Sequence, residues 1–343
     1  MAFTIRIEPS GRTFTAEPGE KLLEAAIRQG ITLPYSCRNG ACGTCKAGLK
    51  AGQVDYGTYE AKALSDDERG AGKVLLCQAL ALSDVTVEAH ELVTPAGIVI
   101  KTLPCRVARM ERAAHDVMIL QLTLPQNQRL AFLAGQYVEV LLKDNQRRSF
   151  SLANPPHVSQ IPGEEFLEIH VRHVPGGLFT EHVFTKMQER DLLRFRGPLG
   201  TFFLREESDR PIVFVAGGTG FAPIKAIIEH SIAKGIQRPM HLYWGVRAKR
   251  DLYRHALVES WAQAYPTLRY TPVLSDPAAE DNWQGRTGFV HDAVAADYPD
   301  FSSHEVYTCG PPVMIEAIKR SFFPRGLAPE RLFFDSFEFA HVT

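Results

Sequence analysis

Hydrophobic and polar positions alternate at the start of the chain, where Phe3-Thr4-Ile5-Arg6-Ile7 turns at Ser10-Gly11-Arg12 into Thr13-Phe14-Thr15. A period of two with a turn between predicts a β-hairpin. From Glu20 to Gln29 the period lengthens. Leu22, Leu23, Ala26 and Ile27 share one helical face, and Gly30 stops the run. Val85-Thr86-Val87-Glu88 returns to alternation. From Cys105 to about Arg205 the pattern is strand-rich: residues 117–122, 137–142 and 167–171 are apolar runs parted by Pro and Gly turns, as in an antiparallel barrel. After Pro211, short apolar strands at 212–216, 240–244 and 306–309 each feed a helical segment, the first at 223–234. Alternating strands and helices predict a parallel sheet.

Length and composition fit this division. A chain of 343 residues exceeds one ordinary domain. The expected boundaries are 1–94 for the first domain, 95–103 for a linker around Thr94-Pro95-Ala96-Gly97, 104–207 for the barrel and 208–343 for the parallel-sheet domain. A net charge of −1 gives no basic surface for nucleic acid. No apolar run reaches the length of a membrane span, and residues 1–30 lack the basic and apolar regions of an export signal. Six cysteines without a disulfide-like pattern fit a reducing cytoplasm.

Four of those cysteines carry the strongest chemical signal. Cys37, Cys42 and Cys45 form C-x4-C-x2-C, and Cys77 follows about thirty residues later. This is the plant-type spacing for four thiolates around a [2Fe–2S] cluster. Gly40 and Gly43 let the loop fold tightly and aim amides at sulfur. Two other readings are a zinc site and a thioredoxin-like pair at Cys42 and Cys45. Zinc usually asks for a second C-x2-C or for histidines, and Cys77 stands alone in Leu75-Leu76-Cys77-Gln78.

In the barrel, Arg147-Arg148-Ser149-Phe150-Ser151-Leu152 ends a strand and Pro175-Gly176-Gly177-Leu178-Phe179-Thr180 opens a helix. An arginine clamps a pyrophosphate, and glycines at a helix start expose amides to an anion. The Phe150 ring can lie against an isoalloxazine and Ser151 can reach its edge. Singly, these are also a surface charge and a core ring. In the last domain, Val215-Ala216-Gly217-Gly218-Thr219-Gly220-Phe221-Ala222-Pro223 is a strand, glycine turn and helix start that lets a dinucleotide pyrophosphate approach. Thr308-Cys309-Gly310-Pro311-Pro312 ends another strand, where a thiol can pack on a nicotinamide face.

Taken in order, R-x-[FY]-S, G-G-T-G-x-[AT]-P and C-G-P behind the cysteine motif resemble the ferredoxin–NADP reductase superfamily in its form with an N-terminal plant-type ferredoxin, over essentially the whole chain. The resemblance implies a multidomain α+β and α/β protein: a β-grasp ferredoxin, an antiparallel FAD-binding β-barrel and a Rossmann-like parallel-sheet NAD(P) domain. It implies that Arg148, Ser149, Phe150 and Ser151 bind FAD, that Gly176, Gly177, Leu178 and Thr180 hold its pyrophosphate, and that Gly217, Gly218, Thr219, Cys309, Gly310 and Pro311 line the nicotinamide site. Ser151 and Cys309 are the candidate catalytic residues. The family more often has tyrosine where Phe150 stands; stacking survives that change, while a hydroxyl bond does not. Phe337, in Phe333-Phe334-Asp335-Ser336-Phe337-Glu338, is the candidate aromatic beside the flavin, with a core role as the alternative.

The implied activity is a change of electron number. Nicotinamide delivers two electrons together, a [2Fe–2S] centre accepts one, and flavin exchanges either number, so the expected order is NADH, FAD, cluster, acceptor protein. Plant-type clusters lie near about −400 mV, so onward consumption must pull the flow. Ser275 is followed by Asp276, whose carboxylate repels a 2′-phosphate and favours NADH, while Arg247 could pair with that phosphate and keeps NADPH open. The resemblance extends to reductases serving pyridoxamine-dependent sugar dehydrases and to those of ring-hydroxylating oxygenases, which makes such a component the expected partner. A non-enzymatic iron–sulfur or zinc-binding module is the alternative from another class.

Overall fold

The computed structural model describes residues 2–94, 98–143, 146–158 and 166–337, which leaves Pro95, Ala96, Gly97 and Glu338 outside the described residues. It divides into two compact units, residues 1–97 and 98–343.

In the first unit the predicted hairpin forms as β1 (Phe3–Glu8) and β2 (Thr13–Ala16), and the predicted helix as α1 (Leu22–Arg28). Gly30 at φ +72° lets the chain leave the helix. There follow β3 (Lys46–Ala51), β4 (Val54–Asp55), α2 (Asp66–Gly70), β5 (Lys73–Leu75), β6 (Leu80–Ala81) and β7 (Val85–Glu88). The sheet runs β2-β1-β7-β3-β5, with β1 and β7 parallel at its centre. Leu22, Leu23, Ala25 and Ala26 of α1 are buried, as are Ile5, Ile7, Val85 and Val87 on the alternating positions of β1 and β7. This is the expected β-grasp arrangement.

The second unit begins with β8 (Lys101–Ala114), three residues ahead of the expected start of the barrel at 104. It continues through β9 (Val117–Thr123), β10 (Tyr137–Leu141), β11 (Arg147–Ser151), β12 (Leu167–Arg172), α3 (Leu178–Thr185) and β13 (Leu192–Leu199). The antiparallel order is β11-β10-β13-β8-β9-β12. A bridge between Leu152 and Ile169 brings the two end strands together. Bulges in β8, between Val107 and Arg109 and between Arg112 and Ala114, bend this long strand around the apolar interior.

Then come β14 (Ile212–Gly217), α4 (Phe221–Ala233), β15 (Met240–Val246), α5 (His255–Ala264), β16 (Leu268–Leu274), β17 (Arg286–Thr287), α6 (Val290–Asp297), β18 (Glu305–Gly310), α7 (Pro312–Phe322) and β19 (Leu332–Ser336). The parallel order β17-β16-β15-β14-β18-β19 reverses direction between β14 and β18. Ligands of such sheets bind at the carboxyl ends beside this switch point. The predicted glycine turn and the Cys309-Gly310 corner are the ends of these two strands, with Ala216 opposite Cys309 in register. Both faces of the sheet are covered, which is why its central strands read as unbroken apolar runs.

Candidate functional site

In the first unit, Arg38 at φ +60° and glycines Gly40 and Gly43 at φ +82° and +78° wrap the loop around its cysteines. A Cβ at Gly40 would lie 2.9 Å from the Thr58 carbonyl, so the tight turn excludes larger residues. None of the six cysteines is in a disulfide. Cys37 is hydrogen-bonded to Cys42, and Cys45 to Cys77. Those bonds drive the partners' pKa values apart: Cys37 and Cys45 go up, while Cys42 and Cys77 go down. Amides of Asn39 and Ala41 point at Cys37, that of Thr44 at Cys42 and that of Gly40 at Cys77, and each favours thiolate. The Cys42 sulfur lies 3.3 Å from the Thr44 hydroxyl, and Gln78, steadied by Lys21 at 2.8 Å, reaches Cys77.

Two close pairs of sulfurs discriminate between metals. One tetrahedral zinc, with Zn–S about 2.3 Å, brings all four sulfurs to about 3.8 Å of one another. Among the described residues, the one set of three ligand atoms lying within 4.8 Å of one another is His115, Asp116 and Asp251, so no three cysteine sulfurs are that close. That other trio is an ion-pair cluster, with Arg172 2.9 Å from Asp116. Two sulfurs for each of two irons, among amides that favour thiolate, fit a [2Fe–2S] cluster.

The flavin candidates lie at the end of β11. Phe150 is half-buried, its ring 5.2 Å from that of Phe179 in α3. The Arg148 guanidinium donates to the Arg147 carbonyl at 2.8 Å and to Gln146 at 3.1 Å, and Ser149 is exposed. α3 starts at Gly177 with no side-chain cap, so its first amides face outward as anion donors. A Cβ at Gly177 would lie 2.9 Å from the Val174 carbonyl, so any larger residue would shift the loop backbone. Thr180 itself clasps the loop, donating to the Val174 carbonyl at 3.0 Å and accepting from its amide at 3.2 Å. Gly176 donates its amide to Glu181, and Leu178 is exposed on the surface. An uncapped helix start, an arginine and a ring in this order fit FAD.

At the switch point, Gly217 and Gly220 are demanded by sterics. A Cβ at Gly217 would meet the rigid Pro311 ring at 2.9 Å, and one at Gly220 would overlap the Cys309 carbonyl at 1.9 Å. Gly218 takes φ +55°, and its carbonyl accepts the Trp244 indole N–H at 2.9 Å. Thr219 is buried, and Pro311 stands at the uncapped start of α7. Cys309 is fully buried, and burial followed by the charge of Asp335 pushes its thiol well up, so it stays protonated. Asp335 lies opposite Cys309 in the β18–β19 register and accepts from the Ser151 hydroxyl at 3.3 Å. The structure thus gathers Ser151, Cys309 and Asp335 from barrel, β18 and β19. The sequence reading missed Asp335; its one signal was its place in the tail beside Phe337. Phe337 donates its amide to the Gly310 carbonyl at 3.0 Å, and its side chain packs on the sheet's apolar cluster, in line with the core alternative. Arg247 and Asp276 sit past β15 and β16, 3.7 Å apart and both largely exposed.

A four-thiolate cluster loop, a flavin barrel and a dinucleotide sheet on one chain define an iron–sulfur flavoprotein reductase. The 2Fe-2S iron-sulfur cluster binding domain matches residues 5–82, the oxidoreductase FAD-binding domain 104–204 and the oxidoreductase NAD-binding domain 214–320. The chain is 40% identical over 337 residues to the CDP-6-deoxy-L-threo-D-glycero-4-hexulose-3-dehydrase reductase of Yersinia pseudotuberculosis, covering 98% of this chain and 99% of that one. It is 33% identical to reductase component 1 of terephthalate 1,2-dioxygenase from a Comamonas species, covering 98% of each. The crystal structure of an Amycolatopsis cytochrome P450 reductase superposes with a TM-score of 0.80 at 36% identity, covering 98% of each chain. The chain therefore belongs to the ferredoxin–NADP reductase superfamily, in the form that carries a [2Fe–2S] ferredoxin domain. It is an oxidoreductase that passes electrons from NADH through FAD and its cluster. Among the described residues no helix is long and apolar enough to cross a membrane.

Proposed function

We propose that this reductase supplies single electrons to a pyridoxamine-dependent sugar dehydrase acting on a CDP-linked hexulose, in a reducing cytoplasm. The observation that carries this reading is the 40% identity, end to end, with a reductase named for such a dehydrase. The reductase component of a ring-hydroxylating oxygenase is the second reading, favoured by oxygenase relatives at 33% identity over 98% of both chains. Mixing the purified reductase and NADH with each type of acceptor and its substrate separates them. Turnover with the oxygenase component alone would reject the first reading.

Bound FAD supplies the exchange between a hydride and single electrons, and the residues supply placement. On this reading Arg148 and the α3 amides hold the FAD pyrophosphate, Phe150 packs against the ring system, and Ser151 holds its hydroxyl at the ring edge with Asp335 as acceptor. Gly217, Gly218 and Thr219 seat the dinucleotide on the start of α4. Cys309, neutral and apolar in its burial, leaves the nicotinamide face uncharged. Gly310 and Pro311 keep that corner free of side chains. Cys37, Cys42, Cys45 and Cys77 hold the cluster. Domain limits of 1–94, 104–207 and 208–343 remain part of this proposal, with β8 reaching back to Lys101.

A further inference from the structure

Buried charge collects where β12 faces α4, apart from every residue given a role above. Glu168 and His170 project from alternate positions of β12, and Lys225 lies four residues into α4 beyond Phe221, with 6% of its surface exposed. The Lys225 ammonium donates to the Ala153 carbonyl at 3.0 Å and to Glu229 at 2.9 Å, and lies 3.2 Å from Glu168. Its three protons thus have three acceptors. Burial would raise the Glu168 carboxyl, but the bond from His170 and the charge of Lys225 hold it down at about 2, so it is ionised.

An ionised carboxylate only accepts, so His170 Nε2, 3.0 Å from Glu168, carries the ring proton. Burial keeps the ring neutral, so Nδ1 accepts from the Tyr253 hydroxyl at 2.8 Å. Tyr253 stands edge-on to Trp244 at 5.2 Å and to Phe221 at 6.0 Å, and Trp244 donates to the Gly218 carbonyl. Glu168 therefore reaches the nucleotide-binding half by two arms. One grips α4 and the chain two residues past Ser151; the other ends on the glycine turn.

Stability alone is a poor reason for this arrangement. Replacing a buried ion pair by apolar groups of like volume is often neutral or stabilising, and what charge and hydrogen bonds add is one defined geometry. We propose that Glu168 is a positioning residue for hydride transfer: through Lys225, and through His170, Tyr253 and Trp244, it fixes the glycine turn relative to Ser151. This rests on the seating of the dinucleotide at Gly217 to Thr219. A misplacement near 1 Å costs on the order of 100-fold in rate.

The test uses holoenzyme carrying FAD and cluster, as wild type, E168Q and Y253F. The second variant removes one hydroxyl from one arm and keeps the ring packing, which covers failure of E168Q to fold. Stopped-flow flavin reduction is expected to slow about 10- to 100-fold in both, with NADH Kd changed less than about threefold. Without nucleotide, hydrogen exchange at the amides of Gly217 to Phe221 is expected to quicken in both. Wild-type rates and exchange in the folded variants would overturn the proposal, as would a loss that only follows the unfolded fraction. If NAD⁺ protects none of these amides in wild type, the seating of the dinucleotide is wrong. The nucleotide-free exchange still decides whether Glu168 governs the turn.

Discussion

The hydroxyl of Ser151 donates to the carboxylate of Asp335 at 3.3 Å across 184 residues of sequence. Both side chains are nearly buried, so the bond is shielded from water. S151A should retain FAD and lose about 100-fold or more in the rate of flavin reduction by NADH, in the range of a positioned proton-transfer group. Rapid-mixing absorbance at the flavin band measures it; an unchanged rate would remove Ser151 from the reaction.

Cys42 belongs to one sulfur pair and lies near the other, since its charge acts on both Cys45 and Cys77. C42S should lower bound iron and acid-labile sulfide and abolish transfer to the acceptor protein, while NADH still reduces the flavin. Iron analysis beside NADH bleaching of the flavin checks this. Equal loss of both activities would contradict the order in which electrons pass.

Asp276 and Arg247 lie at the carboxyl edge of the sheet, too exposed to bind each other strongly. The carboxylate is therefore free to oppose a 2′-phosphate. D276S should raise kcat/KM for NADPH about 10- to 100-fold and change that for NADH little, a span of about 1.4 to 3 kcal/mol. Paired steady-state assays decide it, and wild-type preference for NADPH would reject the choice of nucleotide.

Acid should weaken the nucleotide sheet through His241. Its ring lies 3.0 Å from the Tyr298 hydroxyl and 2.9 Å from Thr271, and burial, followed by the charge of Arg269, lowers its pKa to about 4. The unfolded chain thus binds more protons than the folded one between about pH 6.5 and 4, so stability falls as pH drops through that window. Up to about 3 kcal/mol is involved. The urea midpoint of H241Q should rise relative to that of wild type as pH drops from about 7 to about 4.5. Parallel pH profiles would sink this reading.

Local signals carried the cluster loop, the glycine turn and the order of the three modules. The C-x4-C-x2-C run, the glycines and the apolar runs are each written within a dozen residues, and each has a steric or coordination reason visible there. The hairpin at Phe3–Ala16 and the strand at Val85–Glu88 were legible for the same reason. Asp335 and Glu168 were not. An aspartate in a C-terminal strand and a glutamate in a β-strand look like ordinary solvated positions until tertiary packing brings Ser151 to the one and Lys225 of α4 to the other. The second part played by Thr180 was also hidden: beside a helix start its hydroxyl bonds span the loop. The start of β8 was hard to read because Lys101-Thr102-Leu103 lacks apolar alternation, yet pairs with β13.

Late placement of Asp335 on β19 has a biosynthetic consequence. The acceptor of the Ser151 hydroxyl is made 184 residues after it. A chain released ahead of β19 lacks both that acceptor and the edge strand of the nucleotide sheet. Stalled translation products ending ahead of β19 should consume NADH far more slowly than chains carrying it.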